Sequence, residues 1–162
     1  MARRKRKIAP VIHLSAGPLP PRLAARFPGL LLVFSDASRR RQGGLAVVLF
    51  NDHAGEPLVA TRTVPLDGSN ELELSAALFA LEVAAREFPG RALALFSDNS
   101  DAVSRLARAA TLGLAQDAML AAMCGAPGVV AALAGASFCW VRGHGTSRGN
   151  ALADLHAAAA AA

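Results

Sequence analysis

The sequence predicts a single α/β domain in which helices cover a mixed β-sheet. Two short apolar runs, residues 30–34 and 92–96, have the composition of strands that are buried on both faces. Between them, apolar residues recur at helical spacing over residues 74–88, which predicts a long amphipathic helix. Because a strand–helix–strand crossover joins parallel strands, the two runs are expected to lie side by side and parallel. A chain of 162 residues is long enough for one domain with one hydrophobic core.

The remaining elements follow from turn residues and apolar patterning. Residues 39–44 contain three arginines and two glycines and are typical of a turn, and residues 51–57 have the composition of a hairpin turn. The predicted elements, in order, are strands 30–34, 45–50 and 58–64, a helix over 74–88, a strand over 92–96, two helices within 101–133 broken near 125–128, a strand over 137–141 and a helix from residue 150 onward. This β-β-β-α-β-α-α-β-α order is expected of a mixed sheet with helices on its faces.

Residues 1–28 form a basic and then proline-rich lead-in, which we expect to be flexible, and the folded body is expected to span residues 29–162. The formal net charge is +5, and a run of five basic side chains accounts for all of it: Arg3, Arg4, Lys5, Arg6 and Lys7. The rest of the chain is therefore formally neutral. Such a run is typical either of an arm that binds nucleic acid or of a terminus that only adds solubility.

The sequence pattern contains no convincing signal for secretion or membrane insertion. Pro10 and His13 interrupt the apolar run that a signal peptide would need after its basic start. Residues 118–141 are uncharged and long enough to raise the question of a membrane span, but three glycines and Pro127 break them. We therefore expect a cytoplasmic monomer that contacts no membrane and has no obligate protein partner.

Four acidic residues lie where predicted strands end or on predicted helices next to them: Asp36, Glu73, Asp98 and Asp154. Each of them alone has an ordinary structural explanation. Asp36 suits a turn, and Glu73 suits a capping box with Asn70. Asp98 suits a helix N-cap, and Asp154 suits a solvated helix face. The predicted topology links them, however, because it brings matching strand ends and the start of the long helix to one edge of the sheet.

Carboxylates gathered at one edge repel one another unless a cation neutralises them. Mg²⁺ prefers hard oxygen ligands and completes its coordination with water and substrate phosphate, and no Cys/His cluster points to zinc. Two divalent ions held by acidic side chains are a usual arrangement for cutting phosphodiester bonds. We therefore predict a site for two Mg²⁺ ions, with Mn²⁺ as the alternative, held by Asp36, Glu73, Asp98 and Asp154.

His144 lies between Gly143 and Gly145 in a polar loop. The flanking glycines predict a mobile backbone, which suits a histidine that transfers a proton to or from the substrate. The ordinary alternative is a surface histidine with no role.

The chain carries four motifs that resemble, in order, those of type 1 ribonuclease H. They are Phe-Ser-Asp-Ala-Ser around Asp36, Asn-x-x-Glu-Leu-x-Ala-Ala over residues 70–77, Phe-Ser-Asp-Asn-Ser around Asp98, and Trp-Val-Arg-Gly-His ending at His144 with Gly-Asn-x-x-Ala-Asp over residues 149–154. The resemblance covers residues 30–157, which is nearly the whole predicted body.

This resemblance implies a ribonuclease H-like fold with a five-stranded sheet in the order 3-2-1-4-5, so that residues 29–162 form the catalytic domain. It implies endonucleolytic cleavage of the RNA strand of RNA/DNA hybrids by two-metal-ion hydrolysis, leaving 5′-phosphate and 3′-hydroxyl ends. It makes the four acids metal ligands and His144 an aid to catalysis. It also implies that Asn70 reads the minor groove of the hybrid, where 2′-hydroxyls are displayed.

The sequence departs from the family pattern mainly where substrate is held. Ser100 stands at a position where the family often has a substrate-contacting glutamine, and the basic protrusion that many bacterial members carry between the third and fourth motifs is missing. Other residues must then supply the contacts that bind the substrate. The predicted substrate contacts are Asn70, Ser100, Asn150, Arg39, Arg40 and Arg41, together with the basic run of residues 3–7.

Two other functions are compatible with the same pattern. One is a related nuclease on the same fold, such as a junction resolvase or an exonuclease, and the presence of Asn70 and of the Gly-His motif at His144 argues against it. The other is a module that binds hybrids or double-stranded RNA without cutting them. The complete set of four acids argues against a pure binder, because clustered carboxylates would only repel phosphate.

Overall fold

The computed structural model describes residues 13–162, so the basic run of residues 3–7 lies outside the described part of the chain. A five-stranded mixed sheet forms its centre, with the strands in the order β3-β2-β1-β4-β5. The strands are β1 (Leu31–Arg39), β2 (Gly43–Phe50), β3 (Leu58–Val64), β4 (Leu93–Ser97) and β5 (Ala136–Trp140). β1 pairs antiparallel with β2 and parallel with β4. The order 3-2-1-4-5 and the parallel pairing of the two buried runs are thus confirmed.

Helices cover both faces of this sheet. They are α1 (Pro21–Ala24), α2 (Ser69–Glu87), α3 (Ser100–Leu112), α4 (Ala118–Met123), α5 (Val129–Ala134) and α6 (Arg148–Ala161), with a 3-10 turn at Leu114–Gln116. The alternation of side chains along a strand divides the core in two. Leu31 and Val33 face the α2 side, whereas Leu32 and Phe34 face the α6 side, and all four are fully buried. Within residues 13–162, none of the helices has the length and apolar character of a membrane span.

The first strand is longer than the apolar run predicts. Its parallel pairing with β4 ends where Phe34 lies opposite Phe96, but its antiparallel pairing with β2 continues to Arg39. Asp36 therefore lies inside β1, opposite Ala46, and does not close the strand. Hydrogen bonds to β2 stabilise this extension of β1. The apolar composition of the sequence does not indicate it.

The region expected to form two helices contains α3, two helices of six residues each, and a 3-10 turn. Gly113 ends α3 with a φ of +93°, a conformation that costs glycine little. Asp117 then starts α4 by accepting a hydrogen bond from the backbone N–H of Leu120. Gly128, which also has a positive φ of +79°, is the residue before α5. Local capping and glycine conformations therefore divide an alanine-rich stretch whose composition alone suggests longer helices.

The described half of the predicted lead-in packs on the α6 side of the sheet. Leu19 is only 2% exposed and belongs to the same core cluster as Leu32 and Phe34. Phe27 packs its ring edge-on against Phe96, with the ring centroids 5.1 Å apart.

Two glycines allow α6 to lie unusually close to the sheet. A Cβ atom at Gly149 would come closer than 3.0 Å to the ring of Phe34, and one at Gly44 would come equally close to backbone atoms of Ala157 and Ala161. Backbone atoms of a packed helix cannot move aside as a flexible side chain can. The two glycines therefore set the distance between α6 and the β1–β2 pair, and with it the position of every side chain that α6 carries.

We expect Gly44→Ala to destabilise the protein by about 1–3 kcal/mol, because the added methyl group overpacks the contact between β2 and α6. For a domain of this size, that loss lowers the midpoint of thermal unfolding by roughly 3–10 °C. The matched control is Gly125→Ala, since a Cβ there meets nothing within 4 Å. An unchanged midpoint for Gly44→Ala would mean that α6 does not approach the sheet as closely as described.

Candidate active site

Three of the four predicted acids form one cluster. One carboxylate oxygen from each of Asp36, Glu73 and Asp98 lies within 4.8 Å of the other two. Asp36 and Asp98 each lie two residues beyond the last parallel pair, Phe34 and Phe96, so the register of β1 and β4 places them side by side. Glu73 reaches the same edge from α2. The structure therefore brings these three carboxylates together, as the predicted topology requires.

The ordinary explanations for Glu73 and Asp98 do not hold in the structure. α2 begins at Ser69 after Gly68, so Asn70 lies inside the helix and forms no capping box with Glu73. The N-cap of α3 is Asn99, whose side chain accepts a hydrogen bond of 2.8 Å from the backbone N–H of Ala102. Neither Glu73 nor Asp98 is thus engaged in capping a helix.

Burial and mutual repulsion make the cluster costly to ionise. Asp36 is 3% exposed and Glu73 is 9% exposed. Burial, followed by the negative charges of Glu73 and Asp98, raises the pKa of Asp36 to about 9. Burial, followed by the charge of Asp98, raises the pKa of Glu73 to about 7. Without a cation the cluster therefore holds at least one proton near neutral pH.

The donor set fits a hard divalent cation. Among the residues that the structure describes, Glu73 Oε2 is buried and has no hydrogen-bond partner. A buried carboxylate oxygen without a partner is unfavourable unless it is protonated or binds a cation. Three carboxylates within reach of one another supply only oxygen ligands, which Mg²⁺ and Mn²⁺ prefer. Asp36, Glu73 and Asp98 can therefore hold such an ion.

Asp154, His144 and Asn150 lie next to this cluster around a small cavity of ≈ 80 Å³ that Asp98 also lines. Asn150 is buried, and its Nδ2 donates a hydrogen bond of 3.4 Å to Asp98 Oδ2. Asp154 is exposed and does not belong to the three-acid cluster, although its charge contributes to the raised pKa of Glu73. His144 is exposed on its loop, with a left-handed φ of 54°. The structure thus brings all three predicted residues to the rim of the cluster.

Asn70 lies at a second, more exposed edge of the site. Its Oδ1 accepts a hydrogen bond of 3.1 Å from Asn99 Nδ2, and its Nδ2 donates one of 3.3 Å to Asp101 Oδ2. These bonds link the start of α2 to the start of α3. They hold the amide of Asn70 at the surface, where a ligand can reach it.

The other predicted substrate contacts, Arg39, Arg40, Arg41 and Ser100, are exposed. Residues 39–41 are exposed where β1 turns into β2, and Arg39 Nε donates a hydrogen bond of 3.0 Å to the carbonyl of Asp67. Ser100 is exposed as the first residue of α3. Within the described part of the chain, none of these side chains joins the acid cluster.

The sequence motifs assign no individual role to Trp140 or Asn99. The indole N–H of Trp140 donates a hydrogen bond of 3.0 Å to the carbonyl of Asp98, which ties the end of β5 to the residue that follows β4. No periodicity in the sequence indicates this contact. The Asp-Asn-Ser-Asp segment does carry a signal for Asn99, because a helix start rich in such residues predicts that one of them caps the helix.

Comparison with solved structures places the architecture among the ribonucleases H. No protein-family model matches the chain, and no curated protein sequence matches it significantly. The RNase H1 of the halophilic archaeon Halobacterium salinarum superposes with a TM-score of 0.58 at 21% identity, over 82% of this chain and 97% of that one.

Two further structures support the same assignment. LC9-RNase H1, a type 1 RNase H with the type 2 active-site motif, gives a TM-score of 0.64 at 20% identity over 82% of this chain and 72% of that one. LC11-RNase H1, solved in complex with an RNA/DNA hybrid, gives 0.55 at 14% identity over 82% and 99%. At these identities the similarity concerns the backbone architecture: the chain has the fold of the type 1 ribonucleases H.

Proposed function

We propose that the protein is a metal-dependent endoribonuclease that cleaves the RNA strand of RNA/DNA hybrids. The observation that carries this proposal is the cluster of Asp36, Glu73 and Asp98, whose oxygens lie within 4.8 Å of one another at one edge of the sheet. Such a cluster is unfavourable for stability in the absence of a cation, and a pure binding module gains nothing from it. The chain also shares the fold of solved type 1 ribonucleases H, which supports the same activity.

The cluster and its rim divide into two groups of ligands. Asp36, Glu73 and Asp98 would hold one Mg²⁺ or Mn²⁺ ion, and Asp154 together with Asp98 would help to hold a second beside the small cavity. Bound there, two divalent ions supply an activated water nucleophile and stabilise the leaving 3′ oxygen. Asn150 keeps Asp98 in place through the hydrogen bond to Oδ2. His144 can give a proton to the leaving group from the exposed side of the site.

The substrate is inferred from two observations. LC11-RNase H1, which shares the fold, was solved in complex with an RNA/DNA hybrid. In this chain the amide of Asn70 is exposed next to the acids, and an amide can both donate to and accept from the 2′-hydroxyls that a hybrid displays in its minor groove. Ser100 is exposed at the start of α3, and its hydroxyl would make a further contact with the hybrid. Arg39, Arg40, Arg41 and the basic run of residues 3–7 would neutralise backbone phosphates farther along the duplex.

The direct test is cleavage of a hybrid whose RNA strand is labelled at its 5′ end, beside single-stranded RNA, double-stranded RNA and DNA of the same sequence. We expect Mg²⁺- or Mn²⁺-dependent internal cuts in the RNA of the hybrid alone. Glu73→Gln should lower the rate by orders of magnitude, because the amide keeps the shape but loses the charge that binds the ion.

The matched control for this variant is Glu71→Gln, which makes the same chemical change two residues earlier in α2 and outside the cluster. It should cleave at the wild-type rate. Cutting of DNA in the same assay would favour a related nuclease, and tight binding of the hybrid without cutting would favour a binding module. Full activity of Glu73→Gln would contradict the proposed site.

The metal-free protein should lose stability as the pH rises. Asp36 and Glu73 have ordinary pKa values of 3.8 and 4.5, which are raised to about 9 and about 7 in the folded state. The folded state therefore holds more protons than the unfolded state between about pH 4 and pH 9, and its stability falls through that window. The loss is on the order of several kcal/mol, or roughly 10 °C in the unfolding midpoint.

Thermal unfolding in a chelating buffer, compared between wild type and Asp36→Asn, measures this loss. The variant should be the more stable protein at pH 9, since asparagine never ionises, and the two should converge towards pH 4. Added Mg²⁺ should restore the wild type at high pH and leave the variant little changed. Parallel curves for the two proteins over the whole range would show that Asp36 does not carry the electrostatic cost.

A further inference from the structure

A short segment near the start of the described chain binds the loop that carries His144. We name this segment, Ser15–Pro18, the N-terminal strap. The backbone N–H of Ser15 donates a hydrogen bond of 2.8 Å to the carbonyl of Thr146. Ser147 Oγ donates one of 3.2 Å back to the carbonyl of Pro18. The strap and the loop are therefore joined in both directions across more than 120 residues of sequence.

The strap also satisfies the first turn of α6. The initial backbone N–H groups of a helix have no partner within the helix. Here Arg148 N donates to Ser15 Oγ at 3.2 Å, and Gly149 N donates to the carbonyl of Pro18 at 3.0 Å. The following donor, Asn150 N, is taken by the Ser147 cap at 3.4 Å. Two of these three donors thus depend on the strap.

The strap is itself fixed to the core. Pro18 is buried, and the next residue, Leu19, is 2% exposed in the core cluster of the α6 side. Ser15 Oγ donates a hydrogen bond of 2.8 Å to the carbonyl of Gly17, which shapes the segment locally. The Ser15 hydroxyl therefore donates a hydrogen bond within the strap and accepts one from the backbone N–H of Arg148.

The loop that the strap holds has little of its own to fix it. Between the end of β5 and α6, it closes one turn through a hydrogen bond of 3.3 Å from Gly145 N to the carbonyl of Arg142, and His144 within that turn has a φ of 54°. Gly143 passes so close to the acids that a Cβ atom there would lie 3.2 Å from Asp98 Oδ2. A loop with two glycines and a left-handed histidine needs an outside contact to stay in one conformation.

We propose that the N-terminal strap holds the His144 loop over the acid cluster, and that Ser15 is a positioning residue for the reaction. This inference rests on the proposed function, since it assigns to His144 a role in turnover. Ser15 contacts none of the acids. Its backbone N–H holds the carbonyl of Thr146, and its hydroxyl accepts from the backbone N–H of Arg148, where the loop enters α6. Without the hydroxyl, the Arg148 end of the loop loses its anchor, and the loop samples conformations in which His144 is not at the rim of the cavity.

The experiment measures hybrid cleavage by Ser15→Ala in the full chain. We expect kcat to fall about tenfold with KM nearly unchanged, since one hydrogen bond contributes on the order of tenfold to an equilibrium. Ser15→Thr keeps the hydroxyl and should restore most of the rate. The control is Ser104→Ala, an exposed serine of α3, which should cleave at the wild-type rate.

A double-mutant cycle distinguishes positioning from general destabilisation. In a His144→Ala background, Ser15→Ala should cause no further loss, because the residue that it positions is gone. An equal tenfold loss in that background would overturn the proposal, and so would an unchanged kcat for Ser15→Ala.

Amide hydrogen exchange provides a readout that does not depend on cleavage. Residues 142–148 should exchange faster in Ser15→Ala than in Ser104→Ala, while exchange in β1 and β4 stays the same. If the wild type cleaves no hybrid but this difference appears, the proposed function fails and the strap contact stands. Equal exchange in the two variants would overturn the role of the strap whatever the activity.

Discussion

The repulsion among Asp36, Glu73 and Asp98 is the interaction on which the rest of the site depends. Three carboxylates share a buried edge of the sheet, and two of them have pKa values raised to about 9 and about 7. Folding brings them together at a cost that neither helix capping nor an ion pair offsets, because no basic side chain among the described residues forms a salt bridge with them. A divalent cation relieves both the desolvation and the repulsion at once. The cluster is therefore best understood as a site prepared for metal.

The surrounding structure keeps these side chains in place by rigid packing. Phe34 and Phe96, two residues before the two aspartates, stack with their centroids 5.0 Å apart across the paired strands β1 and β4. Trp140 holds the backbone of Asp98 from β5, and Asn150 holds its side chain from α6. Gly44 and Gly149 let α6 lie close enough to the sheet for Asn150 to reach Asp98. Each of these supports lies on a strand or a helix, whereas Asp98 directly follows β4 and His144 lies on a loop.

Much of this arrangement could be predicted from the sequence, because it follows from strong local patterns. Two apolar runs joined by an amphipathic helix predicted parallel neighbours, and this placed Asp36 beside Asp98. The continuation of β1 beyond Asp36 could not be predicted in the same way, because pairing with β2 stabilises it and apolar composition does not. The break near Gly128 was predicted from its glycines and proline, but the earlier break between α3 and α4 depends on the positive φ of Gly113 and on the cap at Asp117, which act locally. The contacts of Trp140 with Asp98 and of Ser15 with the His144 loop join residues far apart in sequence, and no periodic signal reports them.

Calorimetric titration of Mn²⁺ into the metal-free protein tests most directly whether the acid cluster is a cation site held protonated in its absence. A metal ion that binds deprotonated ligands must displace the protons they carry. At pH 7, with the pKa of Asp36 raised to about 9 and that of Glu73 to about 7, binding should release roughly one to two protons. The observed heat should then differ between two buffers in proportion to the difference in their ionisation enthalpies, and Glu73→Gln should bind much more weakly. Heats that are equal in both buffers, or equal affinities for wild type and Glu73→Gln, would contradict the account.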